Sequence, residues 1–208
     1  QLVDVALELH GRPLLGPIDA EVAPGEVLAV MGPSGAGKSA LLAWMAGLLE
    51  PPFAARGRLR LDGCELHLLP VERRRIGLLF QDDLLFPHLT VADNLLFALP
   101  AGGTRAARGA RVDAALAQAD LAGYGERRPA SLSGGQRARV SLLRALLAEP
   151  RALLLDEPFS RLDATLRTRF RDWVWATLAE RRIAAVLVTH DPADVPPGAR
   201  VIELPGHA

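Results

Sequence analysis

The sequence predicts an α/β fold with a helical insertion, and three observations carry that expectation. Short apolar strands recur near both ends of the chain. A glycine-rich loop joins one of them directly to a helix. A block from about Asp82 to Pro150 reads as helical before strands resume.

The elements follow in order. Val3, Val5, Leu7 and Leu9 alternate with other residues, the pattern of a half-buried strand. Ile18–Val22 is expected to be a second short strand, and Glu26–Met31 a buried one. Ala40–Leu48 reads as a helix that closes near Glu50-Pro51-Pro52. Gly57–Gly63 alternates again and ends in a turn signal. Ile76–Phe80 is a strand, introduced by Arg73-Arg74-Arg75. Thr90 with Asp93 forms a capping arrangement for a helix through Leu99, which Gly102-Gly103 breaks. Arg111–Ala122 and Ser133–Ala148 are expected helices, the second stopped by Pro150. Ala152–Leu155 is a buried strand, Asp163–Arg181 a helix and Ile183–Thr189 a strand. There are no repeats, and no linker is long enough to separate true domains.

The charge inventory points to the site. Of 24 cationic residues, Lys38 is the only lysine. It lies in Gly32-Pro33-Ser34-Gly35-Ala36-Gly37-Lys38-Ser39, which fits the phosphate-loop pattern Gly-x-x-x-x-Gly-Lys-Ser/Thr. A glycine loop wrapped around phosphate has room for a compact ammonium on a thin stem and not for a planar guanidinium. Glycines let successive N–H groups turn inward onto phosphate oxygens, and the helix start adds its positive end. Lys38 would reach the β and γ phosphates and Ser39 would ligate Mg²⁺. Strand, loop and helix are the context this motif requires. The fold class becomes a P-loop nucleoside-triphosphatase core with an antiparallel β subdomain and a helical subdomain.

Composition bounds the rest. With 208 residues, half of them hydrophobic, the chain can bury a full core and reads as one domain, 1–208. About 1–81 and 151–208 would form the catalytic core with the β subdomain, and about 82–150 the helical subdomain. Formal net charge is zero, so no nucleic-acid partner is expected. The single Cys64 cannot form an internal disulfide, which fits a reducing compartment. No signal-peptide pattern opens the chain. It begins at Gln1 rather than Met, so a few further residues are expected before it, and no regulatory domain is expected after Ala208. The longest apolar run, Ala40–Leu49, is about half of a spanning helix. A soluble chain is expected, with any membrane role coming through a partner.

Two further segments carry chemistry. Leu153-Leu154-Leu155-Asp156-Glu157 is an apolar strand ending in two carboxylates, and ligands of parallel sheets lie beyond the C-terminal strand ends. Asp156 would hold Mg²⁺ opposite Ser39. Glu157 would polarise a water for in-line attack on the γ phosphate. In Leu132-Ser133-Gly134-Gly135-Gln136, Ser133 can cap a helix whose first turn exposes backbone N–H groups, a second anion site.

At this point the sequence resembles the ATP-binding subunits of ABC transporters, for which that pentapeptide is diagnostic. The resemblance runs from about Val3 to Leu204 and implies the ABC ATPase fold, with ATP and Mg²⁺ as cofactors. It implies a Q-loop glutamine at Gln81, touching Mg²⁺ and the attacking water, and a switch histidine at His190, bonding the γ phosphate and fixing Glu157. Ser160-Arg161-Leu162-Asp163 resembles the D-loop, where Asp163 contacts the partner subunit and can also cap the next helix. Ser133, Gly134, Gly135, Gln136 and Asp163 would bind nucleotide in trans. Leu79–Val91 and Ala152–Asp163 are similar to importers that use a periplasmic binding protein, nearest the thiamine, iron and polyamine type and a related poorly characterised group.

Three positions depart from the family pattern. His10 stands where an aromatic ring usually stacks on adenine. Ala40 replaces a frequent second hydroxyl. Arg161 is bulkier than usual and is a candidate for an intersubunit ion pair.

The resemblance further implies a head-to-tail dimer, ATP joining the Lys38 loop of one copy to the Ser133 turn of the other. Hydrolysis would open the pair and switch a transmembrane permease subunit, fed indirectly by a substrate-binding protein. Leu84, Leu85, Phe86 and Leu89 are candidates for the groove that receives a permease helix. The implied location is the cytoplasmic face of the inner (plasma) membrane, as a peripheral subunit. The alternatives are a non-transport ATPase of the superfamily, a catalytically silent ATP-dependent module and an exporter subunit. Against the first, the chain lacks coiled-coil heptads and a second ATPase unit.

Overall fold

The structure is a computed structural model that describes residues 1–80 and 82–206. In chain order its strands are β1 (Leu2–Leu9), β2 (Arg12–Ala20), β3 (Val27–Met31), β4 (Phe53–Leu61), β5 (Cys64–Glu65), β6 (Ile76–Leu79), β7 (Ala152–Asp156), β8 (Ala184–Val188) and β9 (Arg200–Glu203). The α-helices are α1 (Lys38–Ala46), α2 (Val71–Arg74), α3 (Val91–Ala98), α4 (Arg105–Gln118), α5 (Gly134–Leu147) and α6 (Ala164–Glu180).

Two compact units emerge, Gln1–Leu78 with Arg151–Glu157 and Trp175–Ala208, and Leu79–Pro150 with Pro158–Val174. The sequence reading grouped all of 151–208 with the core, whereas Pro158–Val174 cluster with the second unit.

The first unit holds both sheets. The antiparallel sheet runs β2-β1-β4-β5 and the other β6-β7-β8-β3-β9. In the latter, β3 pairs in parallel with β8 and β9, and β7 with β8. The central strands β3, β7 and β8 are apolar runs, as a sheet covered on both faces demands. Helix α1 packs on β7, β8 and β4. Leu7, Leu28, Leu41, Leu42, Leu66 and Leu154 are the fully buried centre of this core.

In the second unit α3, α4 and α5 pack on one another around Leu95, Leu116, Leu142 and Leu143. Thr90 caps α3 by accepting from the Asp93 N–H at 3.0 Å, as its sequence signal predicts. Asn94 is fully buried, and it is satisfied: it accepts from the Phe86 N–H at 2.8 Å and donates to the carbonyls of Phe86 and Thr90. It thereby pins the loop before α3.

Several boundaries differ from the expectation. Strand β2 starts at Arg12, not Ile18, and continues through Gly16 and Pro17 by way of a bulge against β1. At Gly16 (φ +105) a Cβ would run into the Val5 carbonyl, so the close strand approach requires glycine. Helix α4 starts at Arg105, six residues before the expected Arg111, because Thr104 caps it and Gly109 is tolerated within it. Helix α2 and strand β9 were not expected; each is four residues long, too short to show a period.

Candidate functional site

Parallel pairing places the ends of three strands at one edge of the first unit. Val30 of β3 and Asp156 of β7 both stand beside Val188 of β8. The next residues of each strand are Met31-Gly32, Glu157 and Thr189-His190. The phosphate loop, the carboxylate pair and the histidine therefore leave the sheet together, where ligands of such sheets bind.

The loop geometry needs its glycines. Gly32, Gly35 and Gly37 have φ of 150°, 84° and 85°. A Cβ at Gly37 would lie 3.1 Å from Leu14 Cγ of β2, while one at Gly35 would meet nothing within 4 Å, so the loop is packed behind and open in front. Pro33, Ser34 and Gly35 are exposed, and Ala36 is buried. Lys38 is 8% exposed, and its Nζ donates to the carbonyls of Gly32 at 2.7 Å and Pro33 at 2.8 Å. Those two carbonyls hold the ammonium over its own loop. Helix α1 starts at Lys38 with Gly37 as its left-handed cap, so its first N–H groups line the loop. Ala40 lies in the first turn of α1.

Ser39 and Asp156 share a side-chain hydrogen bond. Burial, the largest cause, pushes the Asp156 carboxyl above its ordinary range; the Ser39 bond and Lys38 pull it down, and Glu157 pushes it up. An alcohol and a half-buried carboxylate in contact are hard oxygen donors, and beside Lys38 they fit Mg²⁺ held with phosphate.

Glu157 has φ of 48°, a left-handed conformation uncommon outside glycine, and its N–H donates to the Val188 carbonyl at 2.9 Å. This turn lifts the carboxylate off the strand, and His190 Nδ1 meets its Oε1 at 2.9 Å. His190 is exposed, but its turn is anchored. The buried Thr189 hydroxyl donates to Asp194 at 3.1 Å and accepts from the Asp191 N–H, also at 3.1 Å. Sequence reasoning missed Thr189 and Asp194; the Asp-Pro-Ala-Asp run after His190 was the available turn signal.

His10 and Gly11 form the two-residue turn between β1 and β2, with φ of 52° and 73°. A cleft of about 410 Å³ beside it is lined by Leu9, His10, Arg12, Pro13 and Leu14. Leu14 also faces Gly37, so this cleft and the phosphate loop are neighbours along β2. Arg12 was not singled out in the sequence.

The second unit carries the other candidates. Ser133 caps α5 in a reciprocal box: its Oγ accepts from the Gln136 N–H at 3.3 Å, and its own N–H donates to Gln136 Oε1 at 2.9 Å. Gln136 also donates to the Tyr124 hydroxyl at 3.3 Å. Gly134 and Gly135 open the helix, and a Cβ at Gly135 would press on the Arg161 carbonyl at 3.2 Å. Asp163 caps α6, accepting from the Leu166 N–H at 3.0 Å. The Arg161 guanidinium engages Asp82 and Asp83 of its own chain. Phe86 packs edge-on against Phe97 at 5.0 Å, and Leu84 and Phe97 are exposed. Gln81 lies outside the described residues.

A glycine loop around a lysine, with a serine–aspartate pair and a glutamate at the adjoining strand end, defines a P-loop nucleoside triphosphatase. Comparison with known proteins narrows the class. The family model described as ABC transporter matches residues 15–160. The chain is 49% identical to the "Uncharacterized ABC transporter ATP-binding protein YnjD" of Escherichia coli K12, over 97% of this chain and 93% of that protein. It is 47% identical to the sulfate/thiosulfate import ATP-binding protein CysA of Gloeobacter violaceus, over 85% of this chain and 51% of that one. It is 43% identical to the aliphatic sulfonates import ATP-binding protein SsuB 2 of Burkholderia cenocepacia, over 90% of this chain and 66% of that one. The chain thus spans about half the length of the first of these import proteins and two thirds of the second. Its fold matches the dimeric ATP-binding cassette MJ0796 in a post-hydrolysis state with ADP and Pi, with a TM-score of 0.84 at 29% identity, over 98% of this chain and 93% of that one. The chain belongs to the ABC transporter family, as an ATPase subunit. Among the described residues no helix is long and apolar enough to cross a membrane.

Proposed function

We propose that two copies of this chain close head to tail around ATP, hydrolyse it and reopen, and that this cycle drives a transmembrane permease in the import direction. The observation that carries the reading is the convergence of Lys38, Asp156, Glu157 and His190 at one edge of the parallel sheet.

The phosphate loop from Gly32 to Ala40 receives the β and γ phosphates on its N–H groups and Lys38, whose present carbonyl contacts are ones an anion can replace. The cleft beside His10 takes the base. Ser39, Asp156 and Gln81 are the residues assigned to Mg²⁺, which when bound neutralises phosphate charge. Glu157 accepts a proton from the attacking water, and His190 holds Glu157 and the γ phosphate in register. Gln81 is assigned to the water as well.

The helix start at Ser133, Gly134, Gly135 and Gln136, with Asp163, is assigned to the partner copy's nucleotide. ATP then favours the closed pair because its γ phosphate satisfies positive ends from both copies. Hydrolysis removes that differential binding and the pair opens. The dimeric neighbour supports a second copy, and the import relatives support permease partners and peripheral placement at the cytoplasmic face. The likeness of Leu79–Val91 to thiamine, iron and polyamine importers is our branch reading, with a substrate-binding protein as the indirect partner.

Phosphate release from ATP by the purified chain, with Mg²⁺ and with chelator, tests this. Metal-dependent release is expected, and none at any protein concentration would sink it. A permease and a binding protein encoded beside this gene would establish direction.

A further inference from the structure

We propose that Arg161 is a positioning residue of the shared site, fixing the loop that carries Asp163 against the helix start at Ser133 by bridging Asp82 and Asp83. The proposal rests on the head-to-tail reading above and adds to it a residue with a defined task.

The network lies within the second unit. Arg161 Nη2 is 3.1 Å from Asp82 Oδ1, and its Nη1 is 3.4 Å from Asp83 Oδ2. The same Oδ2 takes Arg137 Nε at 3.0 Å. Arg137 follows the capping box directly, and its Nη1 donates to the carbonyl of Leu132, the residue before the cap, at 2.8 Å. One carboxylate therefore joins both anion-facing elements, the turn at Ser133 through Arg137 and the loop at Asp163 through Arg161.

The two arms differ in weight. The Asp82 side chain is 81% exposed, and an ion pair in that setting contributes little. The Asp83 side chain is 11% exposed, so its pairing with two guanidiniums is screened far less. Its backbone is also tied down, its carbonyl accepting from the Ser141 hydroxyl of α5 at 2.7 Å. The 161–162 backbone already lies on Gly135, so Arg161 adds direction to a contact that packing alone would leave free to slide.

The test uses the full chain in a Glu157→Gln background, where ATP-driven dimers accumulate. Adding Arg161→Ala should raise the protein concentration needed for half-maximal dimerisation with ATP by about tenfold, the scale of one coupled pair. Affinity of the isolated copy for a fluorescent ATP analogue should stay unchanged. Arg161→Met, which keeps the stem and removes the charge, should behave like Arg161→Ala, and Arg161→Lys should recover part of the loss. In the otherwise native chain Arg161→Ala should lower kcat with KM little altered. Dimerisation unaffected by Arg161→Ala, or restored by Arg161→Met, overturns the proposal. If the Glu157→Gln parent itself fails to dimerise with ATP, the head-to-tail reading falls, and this proposal with it.

Discussion

His190 Nδ1 lies 2.9 Å from Glu157 Oε1, linking the ends of β8 and β7 across the sheet edge. Two loops that are distant in sequence thereby share one hydrogen bond at the proposed site of water attack. The left-handed backbone of Glu157, φ 48°, is what turns its side chain toward the histidine. Such conformations cost of order 1–3 kcal/mol and persist where the surroundings hold them, here the Val188 carbonyl and the histidine. Glu157→Gln keeps the shape and removes the base. Phosphate release should fall by at least about a hundredfold with ATP affinity retained, and gel filtration with ATP should show a dimer. Turnover equal to the native chain would remove Glu157 from its role.

Ser133→Arg tests the second anion site. The capping box shows why the position is sensitive: the hydroxyl already accepts from the Gln136 N–H, and the first N–H groups of α5 lie beside it. A guanidinium there should block the approach of a partner's nucleotide. Hydrolysis should drop to background while one copy binds a fluorescent ATP analogue as before. Loss of both would mean that Ser133 serves the nucleotide of its own chain.

Asp156 gives a stability prediction with a defined sign. Burial raises its carboxyl above the ordinary value, so the nucleotide-free fold favours the protonated form and ionisation opposes folding. The stability contributed by the neutral group is present at low pH and lost as pH rises through the raised value. Asp156→Asn should therefore melt higher than the native chain at neutral pH, with the difference closing as pH falls toward the usual carboxylate range. The same variant should lose Mg²⁺-dependent phosphate release. Melting curves across pH without nucleotide check the first outcome and a phosphate assay the second.

Arg74 is buried without a carboxylate partner in its hydrogen-bond set. It donates to the carbonyls of Trp44 at 2.8 Å, Met45 at 2.9 Å, Leu69 at 2.9 Å and His67 at 3.3 Å. The first two belong to the last turn of α1, where Trp44 also accepts from the Gly47 N–H at 3.0 Å, so this guanidinium caps the helix that begins at Lys38. Gly47 is required beside it, since a Cβ there would lie 2.8 Å from Arg74 Cζ. Arg74→Ala should destabilise the chain by about 3 kcal/mol through stranded carbonyls. The melting temperature should fall by roughly 6–12 °C for a chain of this size. A loss below about 1 kcal/mol in denaturant titration would show that water replaces the cap.

The candidate site positions in the first unit were legible because each needs a residue type in a local pattern. A phosphate loop demands glycines around one lysine, and a strand-end carboxylate pair follows four apolar residues. Thr90 and Ser133 as caps were legible for the same reason, since a cap is a contact three residues long. Arg74 was not legible. It is the middle residue of an arginine triplet, and only the packing of α2 against α1 selects it for burial. Asp83 was hidden likewise, as a loop residue whose partners Arg137, Ser141 and Arg161 come from elsewhere in the chain.

The sequence by itself determined which residues are candidates for the chemistry, because turn geometry, helix starts and strand alternation are local properties of the backbone. Tertiary structure alone decided which of them meet. Parallel register brought Glu157 to His190, and packing in the helical unit turned Arg161 onto Asp82 and Asp83. Contacts between residues far apart in the chain follow from how elements dock, and residue periodicity holds no record of that.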